Sequence, residues 1–231
     1  MIQWPMQQAL RHFLNETLMR NLNPIDKIIN QIDIALRVLC PPQQRVSQRP
    51  NPGLSEQSPI MSKDESRHVA GLMRVNHAGE VCAQALYQGQ ALTAKLTTVK
   101  TQMINAAEEE IDHLAWCEDR LRELKSHPSK LNVLWYSGSF LLGALAGAAG
   151  DKWSLGFVAE TERQVAAHLQ GHLDKVPLND MKTRAILNQM HDDESHHADI
   201  AHQAGAAELP VILKTVMKGV SKLMTHSSYW I

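Results

Sequence analysis

The sequence predicts an all-α chain: a four-helix bundle with a long hydrophobic crossover and extra helices at both ends. Three observations predict it. From Ser62 onward apolar residues recur with helical period, and no run of alternating β-branched residues reads as a sheet. One pattern then occurs twice. Glu80 is followed 30 positions later by Glu110-Ile-Asp-His113, and Glu162 is followed 32 positions later by Glu194-Ser-His-His197. Between the two copies, Leu131–Gly150 carries no charged residue. A Glu and a His three apart share one helix face, so each Glu-x-x-His helix delivers a carboxylate and an imidazole to one point. Two such helices and two helices with a single Glu supply the ligand set of a carboxylate-bridged pair of metal ions. Four carboxylates and two imidazoles suit a pair of iron ions.

The elements follow in order. Residues 4–39 hold helical-period apolar positions interrupted near Asn23-Pro24, with Ile25, Ile28, Ile29, Ile32, Leu36 and Leu39 as one stripe. Cys40-Pro41-Pro42 stops that helix. Residues 41–60 contain Pro41, Pro42, Pro50, Pro52 and Pro59 among Gln, Ser and Asn, the composition of a linker or an extended wrap over the surface. The bundle helices are expected at roughly 63–92, 96–126, 151–174 and 179–205, with a last helix at about 208–225. Residues 1–60 thus form an N-terminal helical extension and Pro-rich linker. Residues 61–231 form the metal-binding bundle with a C-terminal amphipathic helix.

Composition narrows the function. The 231 residues are 44% hydrophobic and 20% charged, which describes a globular chain with a full core. Lys plus Arg is 23 and Asp plus Glu is 24, so no charge excess points to nucleic acid. Cys40, Cys82 and Cys117 are odd in number, widely spaced and lack a Cys-x-x-Cys, which favours reduced thiols over a disulfide framework. Met1–Leu39 alternates charged and apolar residues without the apolar core of a secretory signal. No Gly-x-Gly-x-x-Gly follows a strand pattern, so no flavin or nicotinamide domain is expected.

The six proposed ligands should face inward. Glu80 shares its face with Met73, Asn76, Ala83 and Tyr87, and Glu110 with Met103, Ala106, Ala107, Leu114 and Cys117. Glu162 shares its face with Val158, Val165 and Leu169, and Glu194 with Leu187, Met190 and Ala201. A carboxylate interrupting an apolar stripe must be protonated, paired or metal-bound. Glu108, Glu109 and Asp112 read instead as a solvated face, and Glu160, two residues from Glu162, reads as exposed. Asp193 and His196 form a competing pair, but Glu194 and His197 align with the apolar positions.

Arg74-Val75-Asn76-His77-Ala78-Gly79-Glu80 resembles the signature of the demethoxyubiquinone hydroxylases, ferritin-like di-iron monooxygenases of ubiquinone biosynthesis. Glu110-Ile-Asp-His113-Leu114, Ala159-Glu-Thr-Glu162-Arg163 and Asp193-Glu194-Ser-His-His197-Ala-Asp199 extend the match from about residue 70 to the C-terminus. The resemblance implies a ferritin-like fold and two Fe ions per chain. It implies that Glu110 and Glu194 bridge both irons, with Glu80 and His113 on one and Glu162 and His197 on the other. The implied reaction is O2-dependent hydroxylation of the ring of a demethoxy polyprenyl benzoquinone or quinol, 2-polyprenyl-3-methyl-6-methoxy-1,4-benzoquinone. Some members carry His-Tyr where this chain has His168-Leu169, so a redox role for that Tyr does not transfer. His168 alone is a weaker candidate for relaying electrons or protons. The electrons come from a partner, from a reduced pyridine nucleotide acting directly, or through the quinone itself.

A polyprenyl substrate demands a route from a membrane. Leu131–Gly150 approaches the length of a spanning helix, but it is rich in Gly and Ser and separates the two halves of one metal site. It is expected to dip into the bilayer interface or to pack on a protein surface, and Gly143-x-x-x-Gly147 permits close helix approach. In the last helix Val216, Met217, Val220, Leu223 and Met224 line one side and Lys214, Lys218 and Lys222 another, as in a helix lying on anionic lipid. Peripheral attachment to the cytoplasmic face of the cell membrane is therefore expected, with room for ubiquinone-biosynthesis protein partners and for a homo-oligomer. Two other classes compete: another ferritin-like metalloprotein (iron storage, a rubrerythrin-like peroxidase or a manganese catalase), and a membrane-associated scaffold with a structural metal. The first does not need the 131–150 segment, and the second does not need two metals with open positions.

Overall fold

The computed structural model describes residues 23–40, 42–57 and 60–231. Among them there are helices and no strand. We label the α-helices α1 (Pro24–Leu39), α2 (Lys63–Thr93), α3 (Thr97–Glu123), α4 (Asn132–Ala149), α5 (Asp151–Leu173), α6 (Met181–Gln203) and α7 (Val211–Trp230), with a short 3-10 turn at Pro52–Ser55. The helix proposed before Asn23 lies outside the described residues. The chain divides into two compact units between Arg37 and Val38. Ahead of that division, Ile25, Ile28, Ile29, Ile32 and Leu36 of α1 are exposed.

Helix α2 starts at a capping box. Ser62 Oγ accepts from the Glu65 backbone N–H at 3.2 Å, and the Glu65 carboxylate accepts from the Ser62 backbone N–H at 2.8 Å. Residues 94–96 turn the chain from α2 into α3. That turn is held by Asp151, whose carboxylate accepts from the backbone N–H groups of Lys95 and Leu96 at 3.1 Å each. Helix α6 is capped by Asp180, which accepts from the Thr183 N–H at 3.1 Å. Asp180 is fully buried and pairs with Arg120 of α3 through both carboxylate oxygens at 2.9 Å. This charge-assisted contact, made by Nη2 alone, ties α3 to α6.

Two apolar clusters lie along the interior. One contains Leu72, Met73, Trp116, Leu121, Leu169, Ile186, Leu187 and Met190; the other contains Ala83, Tyr87, Met103, Leu155, Val158 and Ala201. Each draws residues from α2, α3, α5 and α6. On every one of these four helices the proposed carboxylate falls between the residues given to the two clusters. Glu80 lies between Met73 and Ala83, Glu110 between Met103 and Trp116, Glu162 between Val158 and Leu169, and Glu194 between Met190 and Ala201. The polar layer is thus closed above and below by apolar side chains.

The segment expected as a crossover is helix α4, packed along α2. Small residues make the approach. A Cβ on Gly143 would strike the Leu86 carbonyl oxygen, and one on Gly89 would strike the Phe140 carbonyl oxygen. Its outer side leaves Val133, Leu134, Leu141, Leu142 and Leu145 exposed. Gly150 links α4 to α5 at φ +117°, a conformation that favours glycine. No helix of the described residues is long and apolar enough to cross a membrane. Helix α7 runs to Trp230, beyond the expected end at 225. Its far end is anchored to α2: Tyr229 Oη bonds His68 Nδ1 at 2.7 Å, and its carbonyl accepts from Arg74 at 2.7 Å. Along α7, Val211, Ile212, Val216, Val220 and Leu223 are exposed.

Candidate metal centre

All six proposed ligands are buried, from 0% exposure at Glu110 and His113 to 7% at His197. Two groups of donor atoms converge: Glu80, Glu110, His113 and Glu194 in one, and Glu162, Glu194 and His197 in the other, with all atoms of a group within 4.8 Å of one another. Glu194 belongs to both. The two imidazoles face the same pair of carboxylates. His113 Nδ1 lies 2.7 Å from Glu110 Oε2 and 3.2 Å from Glu194 Oε1. His197 Nδ1 lies 3.2 Å from Glu110 Oε1 and 3.7 Å from Glu194 Oε2. Glu110 and Glu194 therefore each turn one oxygen to one ring and the other oxygen to the second ring. Glu80 approaches His113 Nδ1 at 3.7 Å, on that ring's side alone.

The donor set fits a metal pair by its hydrogen bonding as well as by its chemistry. Both Glu110 oxygens, Glu194 Oε2, His113 Nδ1 and His197 Nδ1 are buried without a hydrogen-bond partner, although they lie close together. Buried polar atoms left this way are costly unless something else satisfies them. Donors that crowd without hydrogen-bond geometry point their lone pairs at a shared centre, and hard carboxylates with neutral imidazoles are the ligands iron takes.

Burial and mutual proximity pull the ionisable groups of this layer in opposite directions. Burial, reinforced by neighbouring carboxylates, pushes Glu80 and Glu162 well above the usual carboxylate range. Burial also acts on Glu110, but His113 and His197 outweigh it and hold it low; for Glu194, burial and the Glu110 charge are outweighed by hydrogen bonds with Glu162, His113 and His197, so it too is held low. Burial opposes charging His113, and Glu110, Asp193 and Glu194 override it and raise the ring well above the usual range. Glu110, Glu194 and Glu162 push His197 up to about 12 against its burial.

Each imidazole is braced from behind by the opposite helix. His113 Nε2 meets Asp193 Oδ2 at 2.9 Å, and His197 Nε2 meets Glu109 Oε2 at 2.7 Å. The residue just before each paired Glu thus holds the other helix's His, which fixes the ring and leaves Nδ1 for the interior. Asp193, expected as a competing ligand, is a brace. His196 is exposed, and Glu160 and Asp112 require correction. Glu160 is 5% exposed, because Arg163, Gln164 and Lys214 close over it, and it does not join the cluster. Asp112 is 2% exposed, because Gln48 and Arg49 of the Pro-rich segment cover it. Glu109 is exposed as expected, yet it reaches His197.

Tyr87 is a site residue that the sequence did not assign, although it was placed on the Glu80 face. Its hydroxyl donates to Glu162, and burial raises its pKa well above the ordinary value. His168 does not converge on the cluster. Its ring lies 3.9 Å from that of His172, its Nε2 has no hydrogen-bond partner, and burial pushes its pKa down to about 4.

Comparison with known proteins agrees with this geometry. A family model described as ubiquinone biosynthesis protein COQ7 matches residues 67–228. The chain is 62% identical over 213 residues to a Legionella pneumophila (strain Corby) protein named 3-demethoxyubiquinol 3-hydroxylase, covering 92% of this chain and 100% of the relative. Proteins of the same name from Acinetobacter baylyi and Acinetobacter baumannii (strain ATCC 17978) are 60% and 58% identical over the same share of each chain. The matched span takes in every residue of the buried cluster, and on those grounds this chain belongs to the COQ7 family of ubiquinone-biosynthesis proteins, an all-helical, ferritin-like family.

Proposed function

We propose that the chain is an O2-dependent hydroxylase of a demethoxyubiquinol ring in ubiquinone biosynthesis, acting through two irons held by Glu80, Glu110, His113, Glu162, Glu194 and His197. The observation that carries the reading is the splitting of Glu110 and Glu194 between the two imidazoles, as carboxylates bridging two metals require. Glu80 and His113 would complete one position and Glu162 and His197 the other. The relatives' name supplies the substrate.

When bound, the irons supply O2 activation. The protein's residues do the rest. Met73, Trp116, Leu169 and Met190 on one side and Tyr87, Met103 and Val158 on the other keep water from the polar layer. Tyr87 holds the Glu162 carboxylate by its hydroxyl. A narrow cleft lined by Ala83, Leu86, Tyr87, Gln90, Phe157 and Thr161 reaches Glu162 and marks the side from which the ring approaches. The polyprenyl tail stays in lipid, with the exposed leucines of α4 and the outer side of α7 at the bilayer surface on the cytoplasmic face. Lys218 and Lys222 are the exposed cations of α7, whereas Lys214 pairs with Glu208 and lies 3.9 Å from Glu160.

The test is single-turnover hydroxylation of a demethoxyubiquinol by reduced, iron-loaded protein under isotopically labelled O2. One labelled oxygen atom should enter the ring. An unlabelled product, or none from protein carrying both irons, overturns the reading.

A further inference from the structure

The Pro-rich segment before α2 carries a side chain that acts on the metal centre from outside it. Arg49 donates to Asp112 from Nε at 2.9 Å and to Asp193 from Nη1 at 2.8 Å. Its guanidinium lies 5.0 Å over the Trp116 ring, and its backbone N–H reaches Asp112 Oδ2 at 3.2 Å. The Gln48 N–H donates to the other Asp112 oxygen at 2.6 Å. Asp193 Oδ2 accepts at once from Arg49 and from His113 Nε2. Arg49, Asp193 and His113 therefore form one continuous chain of charge-assisted contacts from the surface segment to a buried ligand.

Among the described residues, the other imidazole has no such support. His197 is braced by Glu109, which is 59% exposed, whereas the Asp193 side chain is 15% exposed. One brace is held in a planar fork that also fixes α3 through Asp112. The second is a long side chain in water, where holding one geometry has an entropic cost and solvent weakens the contact.

We propose that Arg49 is a positioning residue for His113, and that through Asp193 it makes the His113 metal position the tighter of the two. The inference rests on the metal-centre reading above. Losing an outer brace of a ligating His lowers metal affinity by about ten- to a hundredfold. Arg49→Ala frees the Asp193 brace without removing it, so it should weaken one of two metal positions by up to about tenfold and leave the other unchanged. Arg49→Lys keeps the charge but lacks the fork that joins Asp112 to Asp193, so it should give a smaller loss at the same position. Arg45→Ala is the control. Arg45 anchors the same segment to Glu118 at 2.8 Å, away from either imidazole.

The experiment is anaerobic titration of the metal-free full chain with Co2+, read by its ligand-field absorption, with thermal unfolding recorded for each variant. The expected result is two equivalents bound by wild type, selective weakening of one by Arg49→Ala, partial rescue by Arg49→Lys, and two unaltered positions in Arg45→Ala. Wild type binding two while folded Arg49→Ala and Arg49→Lys bind both as tightly overturns this inference alone. Equal weakening by Arg45→Ala also overturns it, since the segment then acts only by its attachment. Should Arg49→Ala not fold, Arg49→Lys decides. Failure of wild type to bind a second equivalent overturns the metal-centre reading and this inference with it.

Discussion

At the residue scale, register decides which acidic and imidazole groups reach the interior. Glu162 and Glu160 are both buried, but only Glu162 joins the cluster, while Glu160 is occupied by Arg163, Gln164 and Lys214. Glu162→Ala should abolish hydroxylation and cost one metal position. Glu160→Ala should leave metal content intact and lower thermal stability, since it leaves Arg163 without the carboxylate it pairs with. His197→Ala against the exposed His196→Ala should divide in the same way, read by iron content per chain. The six ligands were legible because each interrupts an apolar stripe at helical spacing. The braces were half legible: an acidic residue precedes both Glu110 and Glu194, but their crossing to the opposite helix's His is a tertiary fact. Arg49 left no local signal, since its partners lie 63 and 144 positions away. Buried Glu118 shows how such distant contacts set the response to pH. Burial works against its ionised form, but His77 and Arg45 more than offset this and hold its pKa below the ordinary carboxylate value. A depressed folded-state pKa contributes stability that is full above the unfolded value, about 4.3, and is lost as pH falls through the folded one. Wild type should therefore lose thermal stability more steeply than Glu118→Gln as pH drops from about 5 toward 3. Parallel acid limbs for the two proteins would remove Glu118 from this role.

At the element scale, α4 illustrates what hydropathy alone leaves open. Its uncharged sequence is compatible with a bilayer or with a protein surface, and the small residues settle one side: Gly89, Gly143 and Gly147 bring its backbone against α2. The other side keeps its leucines exposed. Gly143→Ala places a Cβ against backbone at Leu86, which only a shift of the helix relieves, so urea unfolding should show a loss of about 1–3 kcal/mol. Gly138→Ala, where nothing lies within 4 Å, should be neutral or stabilising by up to about 1 kcal/mol through helix propensity. A loss at Gly138 equal to that at Gly143 would show that α4 does not pack in this way. Helix bounds were legible to within a few residues because the apolar period stops at each end, with caps at Ser62 and Asp180 and Pro210 marking three of the starts. The extension of α7 to Trp230 was not, since Tyr229 is held by tertiary bonds to His68 and Arg74.

At the scale of the whole molecule, a polar layer is sealed between two apolar clusters, and α4 and α7 each expose an apolar surface. If these surfaces serve a lipid-borne substrate, Lys218→Glu with Lys222→Glu should weaken binding to vesicles containing anionic lipid, at about 1 kcal/mol per lysine removed and more on reversal. Activity on a long-tailed quinol should then fall more than activity on a short-tailed analogue. Unchanged vesicle binding and an unchanged activity ratio would separate the membrane proposal from the metal centre and remove it. The ferritin-like fold was legible because the same ligand arithmetic occurs twice in one chain. How the Pro-rich segment meets the α3–α6 side of the site was not, because extended wraps carry no periodicity. The central claim is that Glu110 and Glu194 each serve two metals at once. The most direct measurement is iron per chain in anaerobically reconstituted wild type and Glu194→Ala. Two irons in wild type, with none or a single mononuclear iron in the variant, is the predicted result; two irons retained in Glu194→Ala would contradict it.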